Sequence, residues 1–160
     1  RDAHGSVVAA HEQSLALAPR AQQELQVSAL LPWFIDTTYA YRFGPAPHDL
    51  VTARLSDGAG NVVADAFYFP HGLPNAADAD PGLTCEARRD ADGTPVLTLR
   101  AERFAQSVFI DVPGYLPEDN YLHLPPKASR LIRLRGSAGA GTPSGRITAL
   151  NTRRDAKVAL

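Results

Sequence analysis

The stretch Val96-Leu97-Thr98-Leu99-Arg100-Ala101 decides the fold class. Its apolar residues Leu97, Leu99 and Ala101 stand at every second position. Because successive side chains of a strand point to opposite faces, this alternation predicts a β-strand with one buried face. Residues 90–93 just before it read Asp-Ala-Asp-Gly and are turn formers. The chain repeats this combination of short alternating segments and turns, so the sequence predicts an all-β protein.

Three more strands are predicted in the second half. Residues 108–112, Val-Phe-Ile-Asp-Val, place their aliphatic residues on one face, and Pro113-Gly114 closes the strand. Residues 131–135 and 147–151 are the other two. The segment 136–145 between them is rich in Gly, Ser and Ala, and we interpret it as a mobile loop inside a long hairpin.

The first half contains one clear hairpin signal. Residues 51–55 alternate, residues 57–61 supply turn chemistry, and residues 62–69 form the returning strand. Residues 24–31 and 39–43 also alternate and are predicted to be strands. Residues 18–25 contain good helix formers, but they run straight into that alternation, so we prefer strand, turn, strand there.

The 13 prolines and 12 glycines are spread along the whole chain and leave little room for long helices. Short strands with turns at roughly ten-residue spacing indicate an Ig-like β-sandwich. Residues 70–81 have little apolar content and contain three prolines. We therefore predict one unit over residues 1–74, a linker over 75–81 and a second unit over 82–160.

Composition excludes several function classes. The net charge of −1 argues against binding to nucleic acid or to an anionic membrane surface. No apolar run reaches about 18 residues, so no transmembrane helix is expected. The first residues lack the apolar core of a signal peptide. Methionine is absent even at position 1, and we therefore expect the chain to be part of a longer protein.

No metal or cofactor site is expected from the sequence. Cys85 is the only cysteine, which excludes an internal disulfide, and we interpret it as a half-buried strand residue rather than a reactive thiol. The pairs Asp90/Asp92 and Asp78/Asp80 resemble the start of a calcium loop but lack its remainder, so turns explain them. The five histidines lie far apart without zinc-ligand spacing: His4, His11, His48, His71 and His123.

No catalytic residue is assigned either. Glu118 and Asp119 are adjacent and would point apart in an extended segment, whereas glycoside cleavage needs carboxylates that face each other. There is no nucleophile elbow, and the glycine-rich residues 136–141 lack the rest of a phosphate loop. Arg130, Arg133 and Arg135 are interpreted as a solvated strand rim. One group of aromatic residues could stack on a sugar, although a core or domain interface explains it as well: Trp33, Phe34, Tyr39 and Tyr41.

Residues 104–134 carry a more specific signal at Asp119-Asn120-Tyr121. This run resembles the last Ig-like domain of β-mannosidases in glycoside hydrolase family 2, where an a-x-x-V-x-L strand is followed by a loop, D-N-Y-F-D-L-x-P-G-E and another strand. Residues 147–151 resemble the closing strand of that domain. Residues 2–8, and residues 57–63 with 67–69, are similar to a turn and a hairpin of the preceding Ig-like domain.

Two departures from the family pattern stand out. Leu122 replaces its Phe, and Pro125-Pro126-Lys127 replaces its P-G-E, so the turn geometry is expected to differ. Asn120 and Tyr121 are expected to be structural rather than ligand-binding, since a tyrosine in a strand-connecting loop commonly anchors that loop through its hydroxyl. Since exo-β-glucosaminidases share the domain type, the resemblance leaves the sugar open.

The resemblance implies one complete Ig-like sandwich and a partial one, with no catalytic role. The two catalytic glutamates would lie on an upstream (β/α)8 barrel that cleaves terminal β-linked mannose with retention, and that barrel would be the partner. Half a sandwich exposes a sheet edge and an apolar face, so we expect an incomplete first unit, or one covered by another chain or by the second unit. The alternatives are a carbohydrate-binding module built on Trp33, Tyr39 and Tyr41, and a generic adhesion or interaction sandwich.

Overall fold

A computed structural model describes residues 5–41, 44–72 and 80–160. The chain forms two compact units, Arg1–Pro74 and Asn75–Leu160. The regular structure is almost entirely antiparallel β-sheet, so the all-β, sandwich-like prediction is confirmed. Most of the predicted linker, residues 75–79, lies outside the described residues.

The described part of the first unit contains one helical turn, α1 (Val27–Leu30), and one hairpin of β1 (Val51–Ser56) and β2 (Val62–Tyr68). The predicted hairpin is therefore confirmed. Its turn is held by the Asp57 carboxylate, whose Oδ1 accepts hydrogen bonds from the backbone N–H groups of Ala59 (2.9 Å) and Asn61 (2.8 Å).

Two strand predictions in this unit are wrong. Residues 24–31 form no strand, and the only regular structure there is α1. Residues 37–39 form a turn, because the Asp36 carboxylate accepts hydrogen bonds from the backbone N–H groups of Thr38 and Tyr39. An alternating pattern yields a strand only where a neighbouring strand pairs with it, and the local aspartate turn competes successfully here. Arg42 and Phe43, the rest of the second prediction, lie outside the described residues.

The second unit is a sandwich of two four-stranded antiparallel sheets. One sheet has the order β3-β4-β8-β6 and the other the order β10-β9-β5-β7. The strands are β3 (Thr84–Arg89), β4 (Pro95–Arg100), β5 (Ala105–Asp111), β6 (Tyr115–Pro117), β7 (Leu122–Leu124), β8 (Ser129–Gly136), β9 (Ser144–Thr148) and β10 (Ala156–Ala159).

The core of the second unit contains the residues that the alternation predicted. Leu97 and Leu99 of β4 and Val108 and Ile110 of β5 are almost completely buried. Each such side chain contributes about 1.5–3 kcal/mol when it leaves water. The rest of the cluster consists of Leu83, Ala101, Ala105, Val112, Leu124, Ile132, Leu134, Ile147, Ala149 and Val158.

The interpretation of residues 136–145 as a hairpin loop is wrong, because β8 and β9 belong to different sheets. The segment instead crosses from one sheet to the other. It is tied to the turn after β5: the Tyr115 hydroxyl donates to the carbonyl of Gly141 (2.6 Å), and the Ser137 backbone N–H donates to the carbonyl of Gly114 (2.9 Å). Within this crossover Gly139 has a φ of 79°, a left-handed conformation that glycine adopts without a steric penalty.

Candidate functional site

Residues 118–121, which carry the sharpest sequence signal, also cross from one sheet to the other. They lie between β6, in the first sheet, and β7, in the second. At the start of the segment the Glu118 backbone N–H donates to the backbone carbonyl of Arg133 (3.0 Å). The Glu118 carboxylate in turn accepts the backbone N–H of Arg133 (3.1 Å). Glu118 thus extends the pairing of β6 with β8.

Asn120 attaches the same segment to β5. Its Oδ1 accepts the backbone N–H of Ile110 (2.8 Å), and its Nδ2 donates to the carbonyl of Ile110 (3.2 Å). The side-chain amide therefore replaces a neighbouring backbone peptide along an edge of β5. Together, Glu118 and Asn120 join the backbones of the two sheets, in agreement with the expectation that Asn120 is structural.

Tyr121 follows in a left-handed backbone conformation, with φ of 56°. The conformation is held by a hydrogen bond from its backbone N–H to Asn120 Oδ1 (3.0 Å). Its ring stacks on Phe109, with centroids 5.1 Å apart and an interplanar angle of 25°. The hydroxyl has no hydrogen-bond partner among the described residues, so the expected hydroxyl anchor is not observed there; Tyr115 provides a bond of that kind elsewhere.

Two further side chains bind backbone groups in or next to β5, and no local sequence pattern indicates either role. Asn151 Oδ1 accepts the N–H of Gln106 (2.9 Å), while its Nδ2 donates to the carbonyl of Phe104 (2.8 Å). His123 Nδ1 accepts the N–H of Ser107 (3.0 Å) at a β-bulge. Burial lowers the pKa of His123 below its ordinary value of 6.5, which favours the neutral ring that this acceptor role requires.

The acidic pair Glu118 and Asp119 is engaged in structural contacts. The Glu118 carboxylate is bound to backbone, and Asp119 forms an ion pair with Arg130 at 3.6 Å. Neither arrangement presents two facing carboxylates. The arginines do not form one rim, because Arg133 and Arg135 lie on one face of β8 and Arg130 on the other.

Residues 90–93 form the turn that the sequence predicted. Asp90 Oδ1 accepts the N–H of Ala91, Asp92 Oδ1 accepts the N–H of Thr94, and Gly93 has a φ of 82°. Arg133 pairs with both carboxylates. Asp80 likewise accepts a backbone N–H, from Gly82, while Asp78 lies outside the described residues.

Nothing in the described ranges gathers three or more His, Cys, Asp or Glu side chains in a way that could hold a metal ion. Burial raises the pKa of the Cys85 thiol to about 11, so the thiol is protonated at neutral pH and a poor nucleophile. His48 is buried, and desolvation lowers its pKa. His11 and His71 are exposed, and His4 lies outside the described residues.

The aromatic group of the first unit is exposed rather than part of a core. The exposed fractions are 58% for Trp33, 85% for Phe34, 73% for Tyr39 and 65% for Tyr41. Phe34 also borders an open cleft of about 340 Å³. The other residues that line the cleft include the polar residues Gln26, Ser28, Asp36, Thr37 and Thr38. An exposed aromatic ring among polar residues is a combination that occurs in sugar-binding sites.

Comparison with known proteins adds no assignment: no family model, curated protein or solved structure matches the chain. In the ranges that the structure describes, no helix is both long enough and apolar enough to cross a membrane.

Proposed function

We propose that the chain is a non-catalytic accessory β-sandwich region of a β-mannosidase-type glycoside hydrolase. The single observation that carries the proposal is the segment 118–121, which joins the two sheets through Glu118 and Asn120. These residues belong to the stretch that resembles the family, and the contacts of Asn120 give a physical reason for an asparagine at that point of the pattern.

The first unit supports a role beside a larger partner. In its described part, the only sheet is the two-stranded hairpin of β1 and β2, and most of its large apolar side chains are exposed. A two-stranded hairpin by itself is at best marginally stable in water. We infer that an upstream catalytic barrel covers part of this apolar surface.

The chemistry is assigned to that barrel. Retaining cleavage of a glycoside uses two carboxyl groups about 5 Å apart, one as nucleophile and one as acid/base. Glu118 and Asp119 are the acidic pair next to the resemblance signal, and both are already bound, to a backbone N–H and to Arg130. The parent enzyme would hydrolyse terminal β-linked mannose, with the present chain contributing packing.

Expression of the complete gene product tests the proposal. Its hydrolysis of p-nitrophenyl β-D-mannopyranoside should be measured beside that of the 160-residue chain, with p-nitrophenyl β-D-glucosaminide as the competing substrate. We expect turnover of the mannoside by the full product alone, with the first-formed sugar in the β configuration by NMR. Turnover by the short chain, or no glycosidase activity in the full product, would contradict the proposal.

A second candidate function, carbohydrate binding by the first unit, is favoured by the exposure of Trp33, Phe34, Tyr39 and Tyr41. Affinity electrophoresis in gels containing mannan or chitosan tests it. Retardation that is lost in Trp33→Ala and kept in Val63→Ala would support this function, since Val63 is an equally exposed apolar residue (61%) outside the aromatic group. Unretarded migration in both gels would remove its support.

A further inference from the structure

The second unit carries an exposed aromatic platform on the outer face of the sheet β10-β9-β5-β7. Val108 and Ile110 of β5 point into the core, so the alternating residues Phe109 and Asp111 point outward. Tyr121 covers Phe109 with one face of its ring. Because Tyr121 is 66% exposed, the other face of the ring is open to solvent.

The platform is built rigidly, and its backbone is strained. A tyrosine in the left-handed region is unusual, and it persists only where its surroundings hold it. Asn120 does so, because its Oδ1 accepts both the Tyr121 N–H and the Ile110 N–H. The ring is thus fixed from below by Phe109 and at its backbone by Asn120, which reduces the entropy lost when a ligand stacks on it.

Polar groups border the aromatic rings in a regular arrangement. Thr148 of β9 is directly opposite Phe109 of β5. Two residues further along β5, Asp111 is opposite Arg146. Arg146 pairs with Asp111 (3.3 Å) and Asp155 (3.6 Å), so its positive charge is fully compensated and the three groups together carry one net negative charge. The Tyr121 hydroxyl makes no hydrogen bond to any described residue.

These features select one kind of occupant. The open surface is one face of Tyr121, since Tyr121 covers Phe109. A single aromatic side chain offers at most about 150–250 Å², far below the roughly 800 Å² per partner of a stable protein interface. The border has no excess positive charge, so it does not favour a polyanion such as nucleic acid. A neutral ligand with a flat apolar face and a hydroxyl-rich edge fits both the rings and the ion-paired border.

We infer that Tyr121, supported from below by Phe109, forms a stacking site for a neutral pyranose, bordered by Thr148, Asp111 and Arg146. The site lies in the second unit, whereas the aromatic group around Trp33 belongs to the first unit. It requires no catalytic barrel, so it stands or falls independently of the proposed glycosidase context.

Titration of the ¹⁵N-labelled chain with β-1,4-mannohexaose, and in parallel with cellohexaose, tests the inference by NMR. We expect at least one of the two sugars to shift the amide signals of Phe109, Tyr121 and Thr148. Tyr121→Asn removes the ring but suits the left-handed backbone, so it should fold and weaken binding at least about tenfold. Tyr121→Phe keeps the stacking face and should retain most of the affinity.

Trp33→Ala is the matched control and should leave the shifts at Tyr121 unchanged. Three results would overturn the inference: no shifts at these amides with either sugar, unchanged affinity in Tyr121→Asn, or shifts that disappear only in Trp33→Ala. The last result would assign sugar binding to the first unit.

Discussion

The side-chain amide of Asn120 forms a two-point hydrogen bond with the backbone of Ile110, at 2.8 Å to its N–H and 3.2 Å to its carbonyl. Ile110 is a core residue of β5, while Asn120 lies in the segment that arrives from the opposite sheet. One side chain thus satisfies two backbone groups that would otherwise lack a partner at the edge of β5.

Removing this amide should destabilise the second unit. Asn120→Ala leaves the Ile110 N–H without its acceptor, and we expect a loss of about 1–3 kcal/mol in the free energy of unfolding. Urea denaturation measures it. The control is Asp119→Ala, which removes only an exposed ion pair and should change stability by less than about 1 kcal/mol. Equal losses of stability in the two variants would show that the hydrogen bonds of Asn120 to Ile110 contribute no more than the exposed ion pair of Asp119.

A side chain at Gly145 should not fit. A Cβ there would overlap the carbonyl oxygen of Asp111 and lie 2.9 Å from the Cα of Val112. We expect Gly145→Ala to lose about 1–3 kcal/mol, as overpacked sites do. Gly141→Ala is the matched control, because a Cβ at Gly141 meets no atom within 4 Å. Equal melting temperatures of the two variants would contradict the close packing of Gly145 against the backbone of Asp111 and Val112.

Lys127 offers a stabilising substitution. It has a φ of 58°, in the left-handed region, and its backbone N–H donates to the carbonyl of Ala101 at 2.8 Å. Lys127→Gly should remove strain and raise the free energy of unfolding by up to about 1 kcal/mol. Lys157→Gly, in strand β10, should do the opposite. A destabilised Lys127→Gly protein would argue against the left-handed turn.

His123 should make stability depend on pH. Its pKa is lowered in the folded protein by burial, and protonation would remove the Nδ1 acceptor for Ser107. The unfolded chain has the ordinary pKa of about 6.5, so this contribution is complete above pH 6.5. It is lost as the pH falls through 6.5 toward the folded value.

The free energy of unfolding of the wild type and of His123→Gln should be measured by urea denaturation between pH 5 and pH 8. The difference between the two proteins isolates the contribution of His123, because His48 is present in both. The difference in the free energy of unfolding should be constant above pH 6.5 and should change as the pH falls below 6.5. A difference that is constant across this range would mean that His123 does not titrate on unfolding.

The sequence predicted those parts of the fold that depend on local patterns. The alternation at Leu97 and Leu99 identified a buried face, and Asp57 and Gly93 marked turns that the structure contains. Such signals are contained within a few residues, so they can be read directly.

The remaining features depend on contacts between distant parts of the chain. Asn151 binds the backbone of Gln106 across 45 positions, and no local pattern announces that contact. The crossover at residues 136–145 looked like a hairpin loop because composition does not reveal which sheet each flanking strand joins. The stacking of Tyr121 on Phe109 is another such contact, because the local pattern marks Asn120-Tyr121 but not the ring that packs against it.

The most direct test of the account is the sequence of the reading frame upstream of Arg1. We predict a (β/α)8 barrel with two glutamates placed to face each other across its active site, followed by the remaining strands of the first unit. A stop codon shortly upstream, or unrelated domains, would contradict the glycosidase context and leave a binding or interaction sandwich.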